Sequence, residues 1–181
     1  MKKYLILPVK NPTKELLKII NFFHNKIKII IVDDGSKINN QFFKLSFKKA
    51  LIIKNKKNMG KGFSIKKAFR FILKKKKYID GVIIADSDGQ HSINDINKIL
   101  KLYSKNSDKF IIGQRKFKFF KTPLRNFVGN SISSFIFFIK FGIYIDTQCG
   151  LRAIPIKYMK KSMKIKANDY SFESQLLIDF L

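Results

Sequence analysis

The chain of 181 residues has one cysteine, Cys149, and no tryptophan. A single cysteine excludes an intramolecular disulfide and fits a reducing compartment. The residues from Met1 to Pro8 contain an apolar run that is too short for a signal peptide. These absences predict a cytoplasmic location, and attachment to the cytoplasmic face of a membrane is the alternative.

Acidic residues are scarce. Lys and Arg total 38 against 12 Asp and Glu, which gives a formal net charge of +26. Such a charge favours anionic partners, including nucleic acid, anionic lipid headgroups and phosphate-bearing substrates. The lysines are spread along the whole chain together with many Asn, Ile and Phe residues. We therefore interpret the charge mainly as a composition bias and not as a dedicated basic surface, and nucleic acid is not the expected partner.

A long uninterrupted apolar run is also absent. The longest apolar stretch, from Phe127 to Ile145, is broken by Asn130, three serines and Lys140. Interruptions of this kind indicate a buried or interfacial helix in preference to a membrane-spanning one.

What is present is a regular alternation of short apolar runs and amphipathic segments. We expect strands over 4–9, 27–32, 50–53, 82–85 and 109–113, and helices from Asn11, from Lys37, from Phe63, from Ser92, from Pro123, after Pro155 and from Asp169. A short strand over 143–145 is a further expectation. This alternation predicts an α/β fold with a mostly parallel sheet. With no linker or internal repeat, residues 1–181 are expected to form one domain.

Two carboxylates follow the apolar run Val82–Ala85. In extended backbone Asp86 and Asp88 point to the same side, and Gln90 shares their parity. Mg²⁺ is typically held by one or two carboxylates while substrate phosphates and water complete its coordination. Other polar residues, Asn11, Asp33-Asp34 and Arg115, also follow strands, and ligands in parallel sheets bind beyond the carboxyl ends of strands. A polyphosphate with its metal explains such a gathering.

Four segments together resemble the family-2 glycosyltransferases with the GT-A (Rossmann-like) fold, most closely the polyprenyl-phosphate sugar transferases similar to dolichol-phosphate mannosyltransferase. In chain order they are Ile31-Val32-Asp33-Asp34-Gly35-Ser36, Asn58-Met59-Gly60-Lys61-Gly62, Asp86-Ser87-Asp88-Gly89-Gln90-His91 and Asp146-Thr147-Gln148-Cys149-Gly150-Leu151-Arg152. Each segment is weak alone, but the ordered set is specific and covers nearly the whole chain.

The resemblance implies a transferase that moves a sugar from a nucleotide-sugar donor to a polyprenyl phosphate or lipid-linked glycan, with inversion at the anomeric carbon. It implies Mg²⁺ or Mn²⁺ as cofactor, held by Asp86, Asp88 and Gln90. The residues implied for nucleotide binding are Pro8, Asn11, Asp33, Asp34, Gly60 and Lys61.

The acceptor determines which further groups are needed. A sugar hydroxyl has to lose a proton as it attacks, and Asp146 is the candidate general base. A lipid phosphate needs no base but needs cations, and the candidates are Arg115 and Arg125, with Arg152 as a further catalytic candidate. His91 is expected to be a first-turn helix residue or to support the site from behind, not to act as a catalyst, and Cys149 is expected to be buried.

Two departures from the family pattern keep alternatives open. Gln175 stands where the family often has Glu in a Phe-x-x-Glu pattern, so Glu173 is a possible substitute. The chain stops at Leu181 inside an expected helix, which suggests shortening at the C-terminus. The alternatives are an inactive remnant, a nucleotidyltransferase, and a basic nucleic-acid-binding module in which the 115–121 segment contacts single strands.

Overall fold

The computed structural model describes residues 2–75, 78–114, 138–139, 142, 146–147 and 149–180. The strands within these ranges are β1 (Lys2–Val9), β2 (Lys28–Asp33), β3 (Leu51–Lys54), β4 (Ile79–Ile84), β5 (Ile111–Ile112) and β6 (Arg152–Pro155). The helices are α1 (Lys14–Phe23), α2 (Gln41–Ser46), α3 (Lys61–Lys75), α4 (Ile93–Lys105), α5 (Ile156–Ser162) and α6 (Ser171–Ile178). The expected helix from Pro123 and the strand over 143–145 lie mostly or wholly outside the described residues.

The six strands form one sheet in the order β3-β2-β1-β4-β6-β5. Strands β3, β2, β1 and β4 are mutually parallel, and β6 runs antiparallel to both β4 and β5. The expected α/β fold with a mostly parallel sheet is confirmed. The parallel strands bring their carboxyl ends to one edge, where the loops after β1, β2 and β4 meet.

Alternate residues of β1 enter two separate hydrophobic layers. Leu5 and Leu7 pack with α1, α2 and α4 on one face, whereas Tyr4 and Ile6 pack with α3, α5 and α6 on the other. The strands β2 and β4 are likewise buried on both faces, which explains their continuous apolar sequences. With helices covering both faces, the sheet edge is the natural place for a ligand.

Helix starts differ from two expectations. The N-cap of α1 is Thr13, whose hydroxyl accepts from the Glu15 N–H, while Asn11 adopts a left-handed conformation with φ of 55°. Asn residues tolerate that region well. Helix α2 begins at Gln41, four residues later than expected. The expected start of α4 at Ser92 is confirmed, since Ser92 is the N-cap and its hydroxyl accepts from the Asp95 N–H.

The strand β6 was not expected from the sequence. It has four residues, all buried, and lies between β4 and β5. The strand expected over 109–113 is shortened to Ile111–Ile112. Among the described residues no helix is both long and apolar enough to cross a membrane.

Candidate functional site

A cavity of about 460 Å³ lies at the carboxyl edge of the sheet, and we call it the edge cavity. It is lined by residues of the segments 8–10, 58–61, 86–90 and 169–173, together with Asp34. The loops after β1 and β4, the turn before α3 and the start of α6 therefore meet at one place. Of the residues expected at the site, it includes Pro8, Asp34, Gly60, Lys61, Asp86, Asp88 and Gln90.

Asp34 fixes the turn that leads into α3. One carboxylate oxygen accepts from the Met59 N–H at 2.8 Å, and the other accepts from the Gly60 N–H at 3.0 Å. The Asn55 amide donates to Asp34 at 2.8 Å and to Ser64 at 3.0 Å. Carboxylates that accept several N–H groups are held firmly in place. Asp34 thus positions the glycine turn at the wall of the cavity.

Gly60 allows the close approach that this turn requires. Its φ is 95°, which favours glycine, and a Cβ there would lie 3.0 Å from the carbonyl carbon of Asn168 and overlap its oxygen. The turn is therefore packed directly against the segment that precedes α6. This packing places Lys61, the first residue of α3, at the cavity.

Asp33 and Asn11 lie behind the cavity wall. The Asp33 carboxylate accepts from the Ser36 N–H at 2.9 Å, and the side chain is buried. The Asn11 N–H donates to the Ser36 hydroxyl at 2.8 Å, and the Asn11 side chain accepts from the Lys37 N–H at 3.0 Å. These contacts tie the loop after β1 to the loop after β2, and neither residue lines the cavity.

The charged centre of the cavity is the carboxylate of Asp86. Lys61 Nζ lies 2.5 Å from its Oδ1, and His91 Nε2 lies 3.3 Å from its Oδ2. Burial raises the pKa of Asp86, but His91 and the Lys61 ammonium outweigh burial and hold it well below its usual value. The carboxylate is therefore ionised at neutral pH, and the buried His91 ring lies against it.

Lys61 also faces a second carboxylate, that of Glu173 in α6, at 3.2 Å. Burial lowers the pKa of Lys61, but Glu173 and Asp86 outweigh it, so that the pKa is raised. Glu173 is the residue that the sequence comparison suggested as a substitute for the missing Glu. Asp169 and Tyr170 also line the cavity and were not expected, because only the fold brings the start of α6 to this edge.

Asp88 lies at the mouth of the cavity. Its carboxylate accepts from the Gln90 N–H at 3.0 Å and from the Gln90 side-chain amide at 2.8 Å. Asp86, Asp88 and Gln90 offer hard oxygen ligands, which suit Mg²⁺ or Mn²⁺. Among the described residues no three His, Cys, Asp or Glu side chains converge as a complete metal cage. Two carboxylates completed by substrate phosphates still fit this kind of ion.

Arg152 is placed differently from its expected catalytic position. The side chain is fully buried, and its Nε and Nη2 donate to the carbonyls of Cys149 and Thr147 at 2.9 and 2.8 Å. Its Nη1 donates to the carbonyl of Glu173. The guanidinium thus joins the loop before β6 to α6, and this geometry favours a structural role over contact with a substrate.

Asp146 is buried near Arg152 and is not among the described residues that line the edge cavity. Cys149 is buried, as expected. Arg115 and Arg125, expected at the acceptor, lie outside the described residues, as does Gln148.

The mostly parallel sheet, with helices on both faces and a cavity at its carboxyl edge, is the arrangement expected of the GT-A fold. The model of the family described as "Glycosyl transferase family 2" matches residues 4–164. The chain therefore belongs to glycosyltransferase family 2 and is a transferase, as the four motifs predict.

One relative in sequence is the UDP-N-acetylglucosamine–dolichyl-phosphate N-acetylglucosaminyltransferase of Methanococcus voltae. It is 34% identical over an alignment of 202 positions, and the alignment covers 97% of this chain and 78% of the relative. The similarity thus extends over almost all of this chain.

Two solved structures share the fold. Residues 1–349 of TarS from S. aureus match with a TM-score of 0.59 and 15% identity, over 97% of this chain and 55% of that one. A 4-diphosphocytidyl-2C-methyl-D-erythritol synthase matches with a TM-score of 0.57 and 9% identity, over 98% of this chain and 86% of that one. At such identities the likeness shows the fold alone. The family match, not the fold, therefore decides against the nucleotidyltransferase alternative.

Proposed function

We propose that this domain transfers a sugar from a nucleotide-sugar donor to a polyprenyl phosphate such as dolichyl phosphate, with inversion at the anomeric carbon. The observation that carries the proposal is the edge cavity, in which the turn held by Asp34 faces the ionised Asp86 across Lys61. The activity for which the Methanococcus voltae relative is named supports both the donor and the acceptor.

The donor diphosphate would lie between Lys61 and the 86–90 loop. Asp86 and Asp88, with Gln90 beside them, would hold Mg²⁺ or Mn²⁺, which as a Lewis acid stabilises the charge on the departing nucleoside diphosphate. The backbone at Gly60 is close enough to the cavity to contact the nucleotide, because glycine leaves no side chain in the way. Pro8 and Asp34 would shape the pocket for the nucleoside, and Asn11 and Asp33 would hold the loops behind it.

The position of Asp146, the candidate general base, favours a phosphate over a hydroxyl as the acceptor. A phosphate oxygen is already anionic at pH 7, so it can attack the anomeric carbon while the bond to the donor diphosphate breaks, and no proton has to be removed. A hydroxyl acceptor would need a base at the reacting atoms. Asp146 is not among the described residues that line the cavity, and this supports a phosphate as the acceptor. Arg115 and Arg125 remain the proposed cations for it.

The acceptor lipid would be embedded in a membrane, so the domain would work at the cytoplasmic face of one. The net charge of +26 favours contact with anionic headgroups there. Co-sedimentation with vesicles that contain anionic lipid checks this expectation.

The function is tested by transfer of labelled sugar into dolichyl phosphate. A panel of nucleotide sugars that includes UDP-N-acetylglucosamine is incubated with Mn²⁺ or with EDTA, and lipid-extractable label is counted. We expect product only with the metal ion and a loss of at least roughly 100-fold in Asp88→Ala. Little change is expected in the control Asp108→Ala, because Asp108 is exposed and does not line the cavity. Absence of product with every donor would identify an inactive domain, and product in EDTA would refute the metal role.

A further inference from the structure

The ammonium of Lys61 bridges two carboxylates that come from different parts of the chain. It lies 2.5 Å from Asp86 Oδ1 after β4 and 3.2 Å from Glu173 Oε1 in α6, and the side chains of Lys61 and Glu173 are only 10% and 5% exposed. The proposed metal ion would need the same carboxylate of Asp86. A divalent ion at this site would therefore compete with the Lys61 ammonium for the carboxylate of Asp86.

The loop before β6 closes one side of this ion pair. A Cβ at Gly150 would overlap the Asp86 carboxylate and lie 2.6 Å from Lys61 Nζ. Lys61 accordingly cannot withdraw from Asp86 in that direction. On the other side Lys61 keeps its second partner, Glu173, whose side chain is buried as deeply as that of Lys61.

We propose that Lys61 is a built-in cation that competes with the divalent ion for Asp86, and that Glu173 is a positioning residue that retains Lys61 when the ion binds. The inference rests on the proposed metal site at Asp86. It adds an exchange of partners in which Asp86 passes from Lys61 to the ion while Lys61 stays paired with Glu173.

The need for Glu173 follows from the burial of Lys61. A buried ammonium that loses its only counter-charge is strongly unfavourable. With Glu173 present, metal binding leaves Lys61 paired and still at the wall where the donor phosphates would lie. Without Glu173, Asp86 would be the counter-charge of Lys61. The ion would then have to leave the Lys61 ammonium unpaired, which would weaken ion binding.

The test measures binding of Mn²⁺ alone, without nucleotide, from the electron paramagnetic resonance signal of the free ion. The double variant Lys61→Met/Glu173→Gln removes one positive and one negative charge, so the net charge of the site is unchanged. We expect it to bind Mn²⁺ roughly tenfold more tightly than the native chain, because Asp86 is released from a close cation. Equal or weaker binding would overturn the proposal.

The single variant Glu173→Gln sharpens the test. We expect Mn²⁺ affinity to fall by about fivefold, and to fall less when the same change is made in Lys61→Met. An equal fall in both backgrounds would show only a general field effect and would refute the retention of Lys61. The control Lys10→Met removes an exposed cation from the same cavity and is expected to change the affinity by less than about twofold.

Two outcomes separate this inference from the proposed function. If the native chain and the double variant both fail to bind Mn²⁺, the metal site itself is wrong. If both bind with equal affinity, the site stands and the competition is refuted.

Thermal unfolding checks the fold of the double variant. If it does not fold, Lys61→Gln, which keeps a donor without the charge, replaces it and is expected to bind Mn²⁺ more tightly.

Discussion

Two pairs of acidic residues follow two parallel strands of this sheet and differ in what they contact. After β2, Asp33 and Asp34 are buried and accept mainly from backbone N–H groups. After β4, Asp86 and Asp88 pair with side chains, namely Lys61, His91 and Gln90. In the first pair, Asp34 helps to build the wall of the edge cavity and Asp33 holds the loop behind it. The second pair presents charge to the interior of the cavity.

This difference in contacts leads us to expect different functions for the two acidic pairs. A backbone N–H cannot leave without unfolding the turn that carries it, so Asp34 has no free capacity for a metal ion. A lysine or glutamine side chain can rotate away and be replaced by a ligand. We therefore expect substitutions in the second pair to change activity more than stability, and substitutions in the first pair to lower stability.

The largest effect is expected for Asp86→Asn. Removal of the ionised carboxylate at the centre of the cavity should lower the rate of sugar transfer by about 100- to 1,000-fold, the range typical for loss of a key electrostatic group. The initial rate of lipid-extractable product measures it. A loss smaller than tenfold would show that Asp86 is not the centre of the site.

The next effect is a loss of stability in Asp34→Ala. The N–H groups of Met59 and Gly60 and the amide of Asn55 would lose their acceptor, so the free energy of unfolding should fall by about 2–4 kcal/mol. Urea unfolding measures it. The matched change Asp88→Ala, at the mouth of the cavity, is expected to cost less than about 1 kcal/mol. Equal losses in the two variants would remove the distinction between the pairs.

A smaller effect is expected for Asn55→Ala. Asn55 is buried, donates to Asp34 and Ser64, and accepts from the Lys67 ammonium at 2.9 Å. Its loss should cost about 1–2 kcal/mol in urea unfolding, together with weaker donor binding because the turn is less firmly held. Normal stability with normal donor affinity would show that Asp34 positions the turn without this support.

The smallest effect is expected for Ser92→Ala, which removes the N-cap of the helix after the second pair. Loss of the cap should cost about 1 kcal/mol with the transfer rate unchanged, since Ser92 does not line the edge cavity. The matched control is Ser104→Ala, in which an exposed serine near the end of the same helix is replaced, with a change below about 0.5 kcal/mol. A large loss of activity in Ser92→Ala would indicate that the start of α4 helps to form the site.

The gathering of Asp34, Asp86 and Asp88 was predictable because parallel strands bring their carboxyl ends to one edge, and the apolar runs of β2 and β4 mark those strands. Gly60 and Lys61 were expected at the site only from the family resemblance. The strand β6 was not predictable in this way. It has four residues, includes Arg152 and Pro155, and lacks any periodicity that separates it from a loop.

The role of Arg152 could not be predicted for the same reason. An arginine in a family motif suggests phosphate binding, but the direction of its side chain depends on the insertion of β6 between β4 and β5. Likewise, the approach of Glu173 to Lys61 depends on the packing of α6 against α3, over a separation of more than a hundred residues. Long-range packing of this kind leaves no local pattern in the sequence.

In the proposed mechanism, Asp86 and Asp88 bind a divalent ion that in turn binds the donor diphosphate. The most direct test of this mechanism is calorimetric titration of the native chain with UDP, once with Mn²⁺ and once with EDTA, repeated for Asp88→Ala. We predict that Mn²⁺ tightens UDP binding by at least roughly tenfold in the native chain and by much less in Asp88→Ala. Equal affinity for UDP with and without the ion in the native chain would contradict the account.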